Sequence, residues 1–243
     1  MVIEDKDNRR GRYIDRFDVL LLDMGQTFMF NVDRFDMDDG LGQTYSRLGG
    51  RLLSGSQAYQ ILSAVFEQMM ADSKIEGNYE NFASVSGYLK KHQDTLSLPA
   101  EELSILEKVF TEHEVGVIPD EYVNVLRKLC NTHKLGIISD IWSESARFYC
   151  ELEKMGVKDM FNVIVFSSDI GVIKPSGKIF AKAMKGFDVD VSKVAYIGDS
   201  LRRDVAGAKN FGISAIWIQQ DQALDCDGVK PDLIVNDLCD LLD

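Results

Sequence analysis

The chain has 243 residues, and its 39 acidic side chains outnumber 27 basic ones, which gives a formal net charge of −12 at pH 7. This balance argues against a nucleic-acid-binding protein, which needs a basic face, and no apolar run approaches the ~18 residues of a membrane helix. The four cysteines form no C-x-x-C pair, so we expect a cytoplasmic globular protein without disulfides, zinc, membrane or nucleic-acid partners.

The first part of the chain changes character twice. Residues 1–17 are polar and charged, and they predict an N-terminal extension. Residues 18–23 form a short apolar run closed by an acid, which is typical of a buried parallel strand. From 32 to 115, apolar residues recur at spacings of three and four without strand alternation. Because this segment follows the first strand and precedes the others, we predict an inserted all-helical domain.

The second half of the chain alternates between short apolar strands and helices. The predicted strands are 135–139, 163–166, 194–197, 213–218 and 233–235, and the predicted helices are 120–133, 143–155, 176–187 and 201–210. This alternation predicts an α/β protein with a Rossmann-like parallel sheet and helices on both faces. The core domain would comprise residues 18–31 and 116–243.

Residues with candidate functional roles follow the predicted strands at the edge where open parallel sheets bind ligands. They are Asp23, Gly25 and Thr27 after the first strand, Ser139 and Asp140 after the second, Lys174 beyond the third, and Asp199 and Asp204 after the fourth. Carboxylates at this density repel one another, and a hard cation such as Mg²⁺ relieves that repulsion. A metal, a lysine and hydroxyl groups together suit the binding of a phosphoryl group.

These segments resemble the motifs of the haloacid dehalogenase superfamily of aspartyl-nucleophile hydrolases, in the branch whose helical cap is inserted after the first motif. The stretch DMGQT at 23–27 stands where that family has D-x-D-x-T. Ser139 matches the second-motif hydroxyl and Lys174 the third-motif lysine. The stretch GDSLRRD at 198–204 matches G-D-x-x-x-x-D. Four motifs in order, each after a predicted strand, are a specific signal.

The resemblance implies a Mg²⁺-dependent phosphatase of a small phosphorylated metabolite. Asp23 would be the nucleophile that forms an aspartyl-phosphate. Thr27 and Ser139 would bind phosphate oxygens, and Lys174 would bind both the phosphate and the charge of the nucleophile. The implied metal ligands are Asp23, the backbone carbonyl of Gly25, Asp199 and Asp204.

The sequence departs from the family pattern at Gly25, where the phosphatases carry the aspartate that protonates the leaving oxygen. Gln26 also replaces a usual glycine. Without this acid, alternatives stay open: a degenerate protein that binds a phosphorylated ligand or a protein partner, a dehalogenase, or a phosphonate-cleaving relative. The phosphonate reaction needs a cap lysine, for which Lys74 is a candidate.

Other polar and aromatic residues are predicted to have ordinary structural roles. Arg202 and Arg203 are expected to be solvated helix residues, and Trp142 to lie in a hydrophobic core. The histidines are expected at the surface, because they lack metal-ligand spacing; they are His92, His113 and His133.

Overall fold

A six-stranded parallel sheet forms the centre of the protein, in a computed structural model that describes residues 11–33, 35, 40–219 and 228–242. The strands are β1 (Val19–Leu22), β2 (Lys134–Ser139), β3 (Phe161–Phe166), β4 (Val194–Gly198), β5 (Ser214–Ile218) and β6 (Leu233–Val235). Their order across the sheet is β3-β2-β1-β4-β5-β6, and every neighbouring pair is parallel. The predicted Rossmann-like α/β fold is confirmed.

Strand β1 occupies the middle of the sheet because all four of its residues are apolar. Leu20 and Leu22 pack into the hydrophobic cluster on one face, whereas Val19 and Leu21 pack into the cluster on the other face. A strand that is buried on both sides has no polar position, which explains its continuous apolar run.

Helices cover both faces of this sheet, as expected from the alternating pattern. They are α5 (Asp120–Cys130), α6 (Ala146–Lys154), α7 (Ser167–Ile170), α8 (Gly177–Met184) and α9 (Ala206–Phe211), and a π-helical turn (Leu201–Val205) leads into α9. The buried residues of α5 and α6 join one cluster, and those of α8 and α9 join the other. Among the described residues, no helix combines the length and apolarity needed to cross a membrane.

The inserted segment is a helical cap, as the sequence predicts. Its helices are α1 (Leu41–Arg47), α2 (Gly55–Asp72), α3 (Val85–Leu89) and α4 (Ala100–Glu114). Two glycines allow α1 to approach the start of α2, because a Cβ added to Gly42 would lie 2.7 Å from the Cα of Gly55. Phe35 stacks on Phe66 and Phe110 in the centre of the cap, with ring centroids 5.0 and 4.4 Å away.

The two chain segments that join cap and core run side by side as a short antiparallel ribbon. Phe30 and Val117 exchange two backbone hydrogen bonds of 2.9 and 2.8 Å. One step into the cap, Asp33 Oδ2 lies 2.7 Å from His113 Nδ1. His113 is therefore partly buried at the junction of cap and core. The prediction that it lies at the surface is wrong.

The cap is also hydrogen-bonded directly to the core domain. The amide of Val85 donates to the carbonyl of Trp142 over 2.8 Å, and the amide of Phe82 donates to the carbonyl of Gly171 over 2.8 Å. Trp142 belongs to the hydrophobic cluster of the cap although it follows β2 in the core. The cap therefore lies closed over the sheet edge in this structure.

The described part of the predicted N-terminal extension is packed against the core domain. A 3-10 turn (Tyr13–Arg16) carries Ile14, which is fully buried, and Phe17 follows it into the same cluster. His133 is also buried, and its Nε2 lies 3.0 Å from the carbonyl oxygen of Ile14. The expected surface position of His133 is therefore wrong. Residues 11–17 belong structurally to the core, and the remainder of the extension, 1–10, lies outside the described residues.

Candidate active site

The strand order places the ends of three strands at one crevice. The chain runs from β1 through β2 to β3 on one side, and then crosses to β4 on the other side of β1. Ligands bind at such a switch point, beyond the carboxyl ends of the strands. Asp23 follows β1, Ser139 ends β2, and Asp199 follows β4, so three predicted site residues meet here.

Asp23 is held between a hydroxyl and an ammonium group. Its side chain is buried, and its Oδ1 accepts a hydrogen bond of 2.8 Å from Ser139 Oγ. Lys174 Nζ lies 2.8 Å from the same oxygen. The backbone amide of Asp23 donates to the carbonyl of Ile197 on β4 over 2.8 Å. The carboxylate is thereby fixed in position and kept beside a positive charge.

Lys174 is the centre of a buried polar network. Its Nζ donates to Asp204 Oδ1 over 2.6 Å and lies 3.1 Å from the hydroxyl of Tyr196, which itself donates to the carbonyl of Ile138. Burial lowers the pKa of Lys174, but the charges of Asp204 and Asp23 outweigh burial and leave the pKa above its usual value. Lys174 is therefore a permanent cation in the network. The sequence analysis does not predict Tyr196 as a site residue. The one indication in the sequence is that a tyrosine in a fully buried strand needs a polar partner for its hydroxyl.

The π-helical turn after β4 sets the position of Asp204. Ser200 caps this turn, and its amide donates to Asp204 Oδ2 over 2.8 Å. Gly198 leaves room for the carboxylate, because a Cβ there would lie 2.5 Å from Asp204 Cγ. π-Helical turns occur frequently at functional sites. Here the turn brings Asp204 back under the strand ends, where it meets Lys174.

Three carboxylates form the one group of described residues that could hold a metal ion. One oxygen from each of Asp23, Asp199 and Asp204 lies within 4.8 Å of the others. Burial, with the charges of Asp204 and Asp23, raises the pKa of Asp199 to about 7. Clustered carboxylate oxygens are the ligands that Mg²⁺ prefers, so the donor set fits this ion. Both oxygens of Asp204 accept hydrogen bonds, from Lys174 and from the Ser200 amide, whereas the two donors to Asp23 share its Oδ1.

The loop after Asp23 carries the two departures from the family motif. Gln26 adopts a left-handed backbone with φ of 54°, a conformation that favours glycine, and its amide donates to the carbonyl of Met29 over 2.8 Å. The chain therefore turns at Gln26 with a backbone strain of about 1 kcal/mol. Gly25 lines the cavity, and a Cβ added to it would meet no heavy atom within 4 Å.

Thr27 is the one predicted phosphate-binding residue that the structure does not bring to the cavity. It is almost fully buried, and its hydroxyl has no hydrogen-bond partner among the described residues. Ser139 and Lys174, the other two, both line the cavity.

The site opens into a cavity of about 210 Å³ between cap and core. Its floor is polar and consists of the strand-end residues described above. Its roof is apolar and is formed by Val32, Phe66, Met70 and Trp142. Trp142, which was expected in a core, packs against Phe66 at 5.2 Å between ring centroids and faces the site as well.

Glu114 and Asp140 are two cavity acids that hold the surrounding backbone. Glu114 ends the last cap helix and accepts hydrogen bonds from the amides of Trp142 and Ser143, at 2.6 and 2.9 Å. Burial raises the pKa of Glu114, against the effect of these donors. Asp140, whose role the sequence left open, accepts from the amide of Lys174 over 3.0 Å. Burial raises the pKa of Asp140 to about 6, although the charges of Lys174 and a nearby arginine oppose this.

Arg203 lines the cavity, so the expectation of a solvated helix residue is wrong for it. Burial lowers the pKa of Arg203, but the charges of Asp140 and Asp204 outweigh burial and raise the pKa. Its neighbour Arg202 is exposed and contacts the cap, where it donates to the hydroxyl of Tyr79 over 3.2 Å.

This combination of a Rossmann-like core, an inserted helical cap and four strand-end motifs is that of a haloacid dehalogenase-like hydrolase. Residues 35–218 match the profile of the haloacid dehalogenase-like hydrolase family. The match covers most of the chain, and the chain belongs to this family. It includes the second, third and fourth motifs and begins after the first, which contains the unusual Gly25 and Gln26.

Known proteins similar to the chain include several phosphatases. A HAD phosphatase from Thermococcus onnurineus has 26% sequence identity and a TM-score of 0.61, over 92% of this chain and 95% of that one. A glyceraldehyde 3-phosphate phosphatase from Pyrococcus abyssi is 41% identical over 63 residues, and a phosphoserine phosphatase from Thermus thermophilus is 32% identical over 78. These two matches span only 26% and 31% of the relatives' own lengths, and 26% and 32% of this chain.

Dehalogenases share the fold as well. A 2-haloacid dehalogenase from Pseudomonas syringae has a TM-score of 0.62 at 22% identity, over 93% of this chain and 98% of that one. An identity this low shows the common architecture and leaves the chemistry to be argued from the site.

Proposed function

We propose that the protein is a Mg²⁺-dependent phosphatase of a small phosphorylated metabolite, and that Asp23 is its nucleophile. The observation that carries this proposal is the Asp23 carboxylate, buried at the switch point of the sheet and held at 2.8 Å by both Ser139 and Lys174. An acid in this position lines the cavity, where a nucleophile must be placed to reach the substrate.

The proposed reaction has two steps. An oxygen of Asp23 attacks phosphorus, which forms an acyl-phosphate bond and breaks the bond to the leaving oxygen; water then hydrolyses the aspartyl-phosphate. Lys174 offsets the charge that develops on the phosphoryl oxygens, and Ser139 donates to one of them once the substrate is bound.

A bound Mg²⁺ would supply additional positive charge against the phosphoryl oxygens. Asp23, Asp199 and Asp204 would hold it through carboxylate oxygens, and Gly25 through its backbone carbonyl. The raised pKa of Asp199 is consistent with a group that needs a cation nearby in order to be fully ionised near neutral pH.

A small substrate agrees with both the cavity and the relatives. The cavity volume of about 210 Å³ lies below the ~300–1,000 Å³ of sites for drug-sized ligands. The relatives include a glyceraldehyde 3-phosphate phosphatase and a phosphoserine phosphatase. Because Gly25 provides no proton donor, the protein should prefer aryl or acyl phosphates, whose leaving groups depart without help.

The direct test is Asp23→Asn, a nearly isosteric change that removes the nucleophile. Turnover of a nitrophenyl phosphate in the presence of Mg²⁺ should fall at least ~10³-fold, while circular dichroism should show an intact fold. Asp188→Asn removes an exposed acid remote from the cavity and should retain full activity. Undiminished hydrolysis by a folded Asp23→Asn protein would refute the mechanism.

Gly25 also favours a second candidate function, the binding of a phosphorylated ligand without turnover. Both functions require phosphate to enter the cavity, but only the phosphatase releases product from the wild-type protein. A wild type that binds inorganic phosphate and hydrolyses no phosphate ester in a broad metabolite screen would select the binding role.

The remaining alternatives receive less support from the structure. Lys74, the lysine considered for phosphonate cleavage, is exposed and does not line the cavity. A dehalogenase needs no metal, whereas this site retains the acids Asp199 and Asp204 beside Asp23. Chloride release from a 2-haloacid would overturn this preference.

A further inference from the structure

Two cations line the cavity among the described residues, and they differ in the number of carboxylates that contact them. Lys174 is within 2.8 Å of Asp23 and within 2.6 Å of Asp204, so two carboxylates share its ammonium group. For Arg203, no carboxylate of the described residues lies within 4 Å of the guanidinium. Its Nε lies 3.5 Å from Ser200 Oγ, and its two terminal nitrogens donate to no described residue.

Nearby acids explain why this guanidinium stays charged in the cavity without a direct ion pair. Asp140, Asp204 and Asp23 lie near enough to act on Arg203 electrostatically, so the arginine remains charged inside the cavity. Its backbone is fixed by the π-helical turn, where its amide donates to Ser200 Oγ over 3.3 Å. A guanidinium with free N–H groups can bind two oxygens of a phosphate or carboxylate at once.

A phosphate that enters the cavity needs a cation with free N–H donors. The floor already holds the carboxylates of Asp23, Asp140 and Asp199, and the charge of Lys174 is offset by its two acid partners. A phosphate dianion therefore meets excess negative charge, which repels it. Among the described cavity residues, Arg203 is the cation with uncommitted donors.

We propose that Arg203 binds the oxyanion of the substrate, namely the phosphoryl group that approaches Asp23, and that it does so without the metal. The proposal rests on the proposed function, since it takes the ligand to be a phosphoryl group. It concerns binding, however, and does not require turnover.

Arg202 provides a matched control on the neighbouring position. Its guanidinium donates to Tyr79 and to the carbonyl of Ser73, both at 3.2 Å, and so contacts the cap instead of the cavity. Arg202→Met and Arg203→Met remove the same charge from adjacent positions, but only Arg203→Met removes donors from the site.

The experiment measures the affinity of inorganic phosphate by calorimetry, with the full chain in EDTA. Arg203→Met should weaken binding roughly 10- to 100-fold, as expected for the loss of charge-assisted hydrogen bonds. Arg203→Lys should retain part of the affinity, because lysine keeps the positive charge but lacks the paired N–H donors of the guanidinium. Arg202→Met should bind within about twofold of the wild type. Added guanidinium ion should partly restore phosphate binding to an Arg203→Ala protein.

Three results would overturn the proposal: wild-type protein that does not bind phosphate in EDTA, Arg203→Met with unchanged affinity, or equal losses for Arg202→Met and Arg203→Met. L-Lactate serves as the carboxylate probe. If lactate binding depends on Arg203 and phosphate binding does not, the arginine recognises a carboxylate and the proposal is wrong. Circular dichroism of each variant separates loss of binding from loss of fold.

The same data separate this proposal from the proposed function. Phosphate binding that depends on Arg203, in a protein without turnover on any ester, would refute the phosphatase and support the arginine. Turnover that is abolished by Asp23→Asn but insensitive to Arg203→Met would support the phosphatase and refute the role of the arginine.

Discussion

Gly25→Asp would restore a carboxyl group at the position where the family has its proton donor. The structure shows room for it, because a Cβ on Gly25 would meet no heavy atom within 4 Å. Gly25 is also absent from the residues with positive φ, so an L side chain adds no backbone strain. We expect the variant to fold with a change in unfolding free energy of no more than about 1 kcal/mol.

The new carboxyl group should hold a proton near neutral pH, because Asp23 and Asp199 are close and like charges raise the pKa of an acid. A protonated acid beside the leaving oxygen is what the wild-type site lacks. General acid catalysis contributes ~10²–10⁴-fold, which corresponds to about 3–5 kcal/mol of activation free energy. This gain should appear with alkyl phosphates, whose basic leaving groups need the proton, and should be small with aryl phosphates.

The assay compares phosphate release from an alkyl ester and from a nitrophenyl ester, for wild type, Gly25→Asp and Gly25→Asn. Asparagine has the size of aspartate but cannot transfer the proton, so Gly25→Asn should stay at the wild-type ratio of the two rates. If the ratio is the same in Gly25→Asp, or rises equally in Gly25→Asn, then a missing acid at Gly25 does not limit the site.

Two further substitutions test the packing and charge around the site. Gly198→Ala should lower the unfolding free energy by about 1–3 kcal/mol and abolish turnover, because its Cβ would displace Asp204; urea unfolding at wild-type stability would contradict this. Burial raises the pKa of Asp140 to about 6, so its ionisation destabilises the folded state as pH rises from about 4 to about 6. In EDTA, Asp140→Asn should therefore match wild type near pH 4 and exceed it by about 3 kcal/mol near pH 7.5; equal stability at both pH values would refute this.

The fold could be predicted from the sequence because the central strands β1 and β4 are short runs that are buried on both faces. The β1 residues Val19–Leu22 have no polar position, and an acid follows them directly. The same reasoning located Asp23, Ser139 and Asp199, since residues that follow parallel strands share one edge of the sheet. For these residues, local pattern and tertiary position agree.

Other site residues could not be predicted because tertiary packing alone brings them to the cavity. Glu114 ends a cap helix and reaches the site only because the cap lies against the loop after β2. Arg203 follows another arginine at the start of a helix, a pattern typical of solvated residues, and the π-helical turn directs it inward. Conversely, Thr27 matches the family motif, but it is buried outside the cavity.

The insertion of the cap has a consequence for how the chain folds. Strand β1 pairs with β2 although about 115 residues separate Leu22 from its partner Ile137, so the middle of the sheet closes a very long loop. Contacts this distant in sequence slow folding. The ribbon between Phe30 and Val117 joins the ends of the insertion, and forming it first shortens the loop to about 30 residues and lowers the closure cost by about 1 kcal/mol. A cap that folds early would therefore assist its host sheet, and the two joining segments would serve as a folding nucleus as well as a connection.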